Sequence, residues 1–149
     1  MMITLYDRFP TELDSKLYFT DWIFRHYGIK CFNTDTYSIY YPLDLIGYNS
    51  YNCLFSFELK VRYTTGSWDK FGDNSILDSK YQFIQEHMNQ LGYVYLVGFF
   101  NEGMAVSDLR GKYKFTRYAM SPRTTKFEDH TMVKRLYYHY DFVAKYPYD

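Results

Sequence analysis

Apolar residues recur every three to four positions in two stretches of this chain and alternate with a period of two in others. The first helical stretch begins at Pro10-Thr11-Glu12-Leu13-Asp14, with Thr11 as N-cap and an acid three residues on, and runs through Tyr27 to a terminating Gly28. Leu13, Leu17, Phe24 and Tyr27 fall on one side, with Phe19 and Ile23 widening the stripe. Strand-like material follows. Thr36 to Tyr41 is β-branched and aromatic, Leu43 to Tyr48 is a second short run, and after the turn residues Asn49-Ser50 a long strand is expected from Tyr51 to Tyr63. Thr64 to Ser75, with two glycines and several Asp and Asn, reads as a loop. Leu77, Tyr81, Ile84, Met88 and Leu91 then recur at spacings of four and three, predicting an amphipathic helix that ends at Gly92. Tyr93 to Phe100 is nearly all apolar, as in a strand buried on both faces. Gly111 to Met120 suggests another strand, and the tail from Asp129 to Ala144 is read as helical.

The order of helix, strands, helix and buried strand predicts an α+β fold, a mixed sheet with helices packed on it. At 149 residues and 18.1 kDa, with no repeat or linker, the chain is expected to form a single domain, 1–149. No apolar run approaches the ~18 residues of a membrane helix, and the N-terminus lacks the layout of a secretion signal. Cys31 and Cys53 have neither CxxC nor ligand-spaced histidine neighbours, so reduced, packed thiols in a cytoplasmic protein are expected. The four histidines lack paired spacing, which gives zinc no support, and no phosphate-loop or nucleophile-elbow motif occurs.

The chemistry concentrates in Pro42-Leu43-Asp44 and Glu58-Leu59-Lys60. In the long strand, Tyr51, Cys53, Phe55, Phe57, Leu59, Val61 and Tyr63 make one apolar face. Glu58, Lys60 and Arg62 project from the other. If the preceding run pairs so that Asp44 stands opposite Ser56 or Glu58, it joins that face; a slip of one residue sends it to the other. Two converging carboxylates suit Mg²⁺, which prefers oxygen ligands, and an adjacent lysine can orient a water or offset charge on a phosphoryl transition state.

These residues, with thirteen positions between Asp44 and Glu58, resemble the signature of the PD-(D/E)XK nuclease superfamily, and the element order from Thr11 to Phe100 is similar to its αβββαβ restriction-endonuclease-like core. The resemblance implies a DNA endonuclease or exonuclease using Mg²⁺ or Mn²⁺. It implies Asp44 and Glu58 as metal ligands, the Leu59 carbonyl as a further ligand, and Lys60 as the residue positioning the water. It also points to Glu12 as an acid on the first helix near the metal, and to Lys80 or Gln82 as the accessory residue on the helix after the strand, with Lys80 better placed. A homodimer is a further expectation from the resemblance.

Net charge is zero, yet Arg110 to Lys126 carries six basic residues and no acid. Such a stretch is the footprint a phosphate backbone requires, or else a solvated strand face. Arg110, Lys112, Lys114, Arg117 and Arg123 are its nucleic-acid-binding candidates, alongside Arg62 as a phosphate contact and Trp68 as a wedge between bases. With 19 Tyr and 13 Phe, a second class of function stands beside the nuclease: a non-catalytic binding module, either an inactive relative or a small viral inhibitor, engaging protein or nucleic acid through a Tyr-rich surface.

Overall fold

The computed structural model describes residues 4–34, 43–62, 74–110, 115–122 and 132–145. Two helices come first, α1 (Leu5–Arg8) and α2 (Glu12–Tyr27). The strands β1 (Lys30–Asn33), β2 (Leu45–Tyr48), β3 (Leu54–Val61) and β4 (Asn74–Leu77) follow. Then come α3 (Asp78–Glu86), α4 (Met88–Leu91), β5 (Tyr93–Phe99), β6 (Gly103–Asp108), β7 (Phe115–Pro122), β8 (Met132–Tyr138) and β9 (Asp141–Lys145). A six-stranded sheet has the order β1-β2-β3-β5-β6-β9, and β4, β8 and β7 form a second sheet of three. All pairings are antiparallel except β3 with β5, which are joined by the crossover through β4, α3 and α4. The molecule is α+β.

Local chemistry explains the α2 boundaries. Thr11 and Asp14 form a reciprocal capping box, with Thr11 N–H donating to Asp14 Oδ2 at 2.8 Å and Asp14 N–H to Thr11 Oγ1 at 3.4 Å. Gly28, at φ +68°, ends the helix with its N–H on the Phe24 carbonyl. The buried face, however, is not the expected one. Tyr18, Phe19, Trp22 and Ile23 are buried, whereas Leu13, Leu17, Phe24 and Tyr27 are more than half exposed. This helix is apolar on two sides, and the side carrying Tyr18, Phe19, Trp22 and Ile23 is the one that meets the sheet. Glu12 and Lys16, one turn apart, reach Lys60 and Asp44 on the sheet, a rotation that turns Leu13 and Leu17 outward.

The large sheet separates two cores. On one face, Phe19, Trp22 and Ile23 of α2 pack with Phe57, Leu59, Val61, Val97 and Phe99. Phe19 meets Phe57 edge-to-face at 4.9 Å between ring centroids. On the other, Ile84, Leu91, Val94 and Leu96 pack with Leu136 and Tyr138 from the second sheet. Buried polar groups support the junction: Asn74 Nδ2 of the second sheet donates to the Leu96 carbonyl of the first at 3.1 Å, and Ser107 Oγ to the carbonyl of His139, between β8 and β9, at 2.6 Å.

Several expectations need correction. The long strand is shorter, Leu54–Val61, because Asn52 takes φ +60° in the preceding turn; Tyr51 and Cys53 are therefore exposed rather than packed. Both cysteines are free, and Cys31 is the buried one. Asn74 and Ser75, read as loop, begin β4. The second amphipathic helix is interrupted at His87, although Ile84 and Leu91 are buried as their spacing predicts. The tail expected to be helical forms β8 and β9, its alternating residues serving the sheets better than a helix face. The strand expected at Thr36–Tyr41 lies outside the described residues. Among the described residues, no helix is long and apolar enough to cross a membrane.

Candidate active site

β2 and β3 pair with Leu45 opposite Phe57 and Ile46 opposite Ser56. One further step in that register sets Asp44 beside Glu58, on the face shared with Lys60 and Arg62. This is the even pairing on which the site depends. The approach to Asp44 is held by buried Thr34, whose N–H donates to the Asp44 carbonyl at 3.0 Å and whose hydroxyl donates chiefly to the Leu43 carbonyl. Asp44 Oδ2 accepts the Leu59 N–H at 2.8 Å, which locks the carboxylate against β3.

Glu58 is 5 % exposed. One of its oxygens pairs with Lys80 Nζ from α3; the other, Oε1, is buried and accepts no hydrogen bond among the described residues. The Glu58 and Asp44 carboxyl groups lie within hydrogen-bonding reach of one another. Two carboxylates this close repel unless their charge is offset by a proton, by a cation, or by the ammonium groups of Lys16 and Lys80 that pair with them. Burial, then the neighbouring Asp44, pushes Glu58 well above the usual carboxylate range, with Lys80 opposing. Burial also penalises Asp44, but Glu58, the Leu59 N–H, Lys16 and Lys80 together outweigh it and hold its pKa down. Burial and mutual proximity thus move the two carboxyl groups apart, Asp44 downward and Glu58 upward.

A cleft of about 60 Å³ opens beside Glu58, lined by Lys60, Arg62, Lys80, Ser75 and Arg135 over a floor of Ile76, Leu77 and Leu96. Arg62 donates from Nη2 to the Ser75 carbonyl at 2.9 Å and to Ser75 Oγ at 3.0 Å. Burial, then the charge of Arg135, lowers Arg62 to about 10, so it remains a cation at neutral pH. The other recess of note, about 200 Å³ between α2 and the sheet, is lined by apolar and aromatic side chains such as Phe19, Trp22 and Phe57, and offers no carboxylate or amine.

The candidates divide accordingly. Asp44, Glu58, Leu59, Lys60, Lys80 and Arg62 come together at the carboxyl ends of β3 and β5. Glu12 sits at the edge, its Oε1 3.7 Å from Lys60 Nζ, and among the described residues no third Asp, Glu, His or Cys joins the carboxylate pair. Gln82 is exposed on α3. Arg110 stands at the opposite end of β5, bonded to the Gly92 carbonyl, and Arg117 lies on β7 in the second sheet. Trp68, Lys112, Lys114 and Arg123 fall outside the described residues. Two participants were missed from sequence. Lys16, one turn after Glu12, lies 3.3 Å from Asp44 Oδ1. Arg135 was hidden by the helical reading of the tail, although its alternation with Leu136 is a strand signal.

The donor types suit a divalent cation: a buried Glu58 oxygen without a donor among the described residues and a second carboxylate, Asp44, held against β3. Comparison of the chain with family models, curated proteins and solved structures returned no match.

Proposed function

We propose that this chain is a divalent-metal-dependent nuclease of the PD-(D/E)XK type, hydrolysing DNA phosphodiester bonds at Asp44, Glu58 and the lysines beside them. The observation that carries this reading is the juxtaposition of the Asp44 carboxyl with buried Glu58, whose Oε1 has no donor, in the register their spacing required. The element order supports the corresponding core: α2, then β1, β2 and β3, then α3, then β5 parallel to β3, with β4 inserted and β6 to β9 as additions.

Asp44, Glu58 and the Leu59 carbonyl would hold Mg²⁺ or Mn²⁺. When bound, such an ion supplies Lewis-acid stabilisation of phosphoryl oxygens and lowers the pKa of its water. The residues of the chain do the rest. Asp44 is held in place by the Leu59 N–H and by Lys16, so the pair is preorganised. Lys80 sits on Glu58, and Lys60, half-exposed and only loosely tied to Glu12, points into the same cleft. Both can place positive charge beside a phosphate, and Lys60 is the one free to orient a water.

The test joins two measurements. Calorimetry should show Mn²⁺ binding that Asp44→Ala abolishes. Cleavage of duplex, branched and single-stranded DNA with Mg²⁺ or Mn²⁺ should fall about 10²–10³-fold in Asp44→Ala and in Lys60→Ala. Cleavage that survives both substitutions overturns the assignment. One observation favours the second reading, a non-catalytic binding module: Lys16 and Lys80 already offset the two carboxylates. Absence of any Mn²⁺ signal in the folded wild type would decide for it.

A further inference from the structure

Arg62 and Arg135 present an unusual arrangement. They come from different sheets, Arg62 from the end of β3 and Arg135 from β8, where it stands opposite Leu77. Both line one cleft, where the charge of Arg135 adds to burial in holding the Arg62 pKa down. Arg62 is anchored on Ser75, while among the described residues no carboxylate pairs with Arg135. Lys60 and Lys80 line the same cleft, which holds four cations and one carboxylate, Glu58; Lys80 pairs with Glu58, and Lys60 loosely with Glu12 at the edge. Gathering like charges over an apolar floor is unfavourable in the absence of an anion, and the cost is relieved when one enters.

Size and charge narrow the class of anion. About 60 Å³ is far below the roughly 300–1,000 Å³ that encloses a drug-sized ligand, so a nucleoside does not fit inside. A phosphodiester within a strand carries a single charge and two sugar arms that must leave in opposite directions. A terminal phosphate monoester carries about 1.5–2 negative charges near neutral pH, has one arm, and offers three oxygens to a guanidinium fork.

We propose that the cleft is a subsite for the terminal phosphate monoester of a nucleic-acid strand, gripped between Arg62 and Arg135 with Lys60 at its mouth. This rests on the nuclease reading and gives it a substrate class: strand ends bearing a phosphate, seated immediately beside the Asp44–Glu58 pair. Arg135 is here a specificity residue, not a catalytic one.

Binding of fluorescent oligodeoxynucleotides to the full chain tests this with metal chelated, so that cleavage plays no part. Three probes of one sequence carry a 5′-phosphate, a 3′-phosphate or neither. The expected result is at least tenfold tighter binding of one phosphorylated probe, a preference that Arg135→Gln abolishes and Arg135→Lys partly keeps. Inorganic phosphate should compete, and it should raise the melting temperature of wild type but not of Arg135→Gln. Equal affinity for all three probes overturns the subsite, as does a preference that persists in Arg135→Gln. The two readings separate cleanly. A phosphate preference without metal-dependent cleavage keeps the subsite and removes the nuclease; cleavage without the preference does the reverse.

Discussion

At the scale of single residues, the carboxylate pair governs how this protein responds to pH. Glu58 has an ordinary reference of 4.5 when unfolded and a pKa raised well above it by burial in the fold. Above about pH 4.5 the folded chain therefore keeps a proton that the unfolded chain has lost, and stability declines as pH climbs toward the raised value. Asp44 acts in the opposite sense and in a lower window. Held below its reference of 3.8, it stabilises the fold above that pH, and the contribution disappears as pH falls through its lowered value. Urea unfolding across pH, with metal chelated, should show the decline above pH 4.5 in wild type and a flatter profile in Glu58→Gln. Each unit of pKa difference is worth about 1.4 kcal/mol. An unchanged slope in the variant would mean that another group carries the effect. Glu58 and Lys60 were legible in the chain because parity along β3 is a local property, whereas Asp44 joined them only through the β2–β3 register. Lys16 and Arg135 were not, because each reaches the site only through its element's place in the fold.

At the scale of elements, α2 separates what neighbours in the chain decide from what the sheet decides. Its boundaries follow from Thr11, Asp14 and Gly28, all near neighbours in the chain. Its rotation does not, since two apolar stripes compete and packing against Phe57, Leu59 and Val97 of the sheet decides between them, with the Glu12 and Lys16 ion pairs compatible with the result. Leu17→Lys is therefore expected to change stability by no more than about 0.5 kcal/mol, as on an ordinary surface. Ile23→Ala should cost roughly 2–5 kcal/mol through the cavity it leaves against the sheet. Chemical denaturation of the two variants checks this, and a large loss in Leu17→Lys would mean the helix is turned the other way. The junction between α4 and β5 is settled by Gly92, at φ +71°, where a Cβ would fall 2.1 Å from the Leu54 carbonyl oxygen. Only glycine lets the crossover end this close to β3.

At the scale of the whole molecule, the second sheet is not an appendage. Leu136 and Tyr138 share one buried cluster with Ile84, Val94 and Leu96, and Asn74 bonds across to the Leu96 carbonyl. The site depends on that union, since Ser75 and Arg135 belong to the second sheet while Glu58 and Arg62 come from or adjoin the first. Leu136→Ala should lower stability by roughly 2–5 kcal/mol. It should shift far-ultraviolet and near-ultraviolet unfolding transitions together, the mark of one cooperative unit. Transitions that separate would show that the two sheets unfold independently.

By itself, the amino-acid sequence determined whatever depends on neighbours in the chain. The caps of α2, the apolar run of β5, the buried Ile84 and Leu91, and the common face of Glu58, Lys60 and Arg62 all follow from spacing and local hydrogen bonding. The tertiary structure alone decided whatever needed a partner far along the chain. The β2–β3 register brought Asp44 to Glu58, packing on the sheet selected one face of α2, and pairing with β4 and β6 drew the C-terminal tail into strands. The physical reason is that periodicity and capping are satisfied within a few residues, whereas register, helix rotation and edge pairing are chosen by whichever distant surface best buries apolar area and satisfies backbone hydrogen bonds.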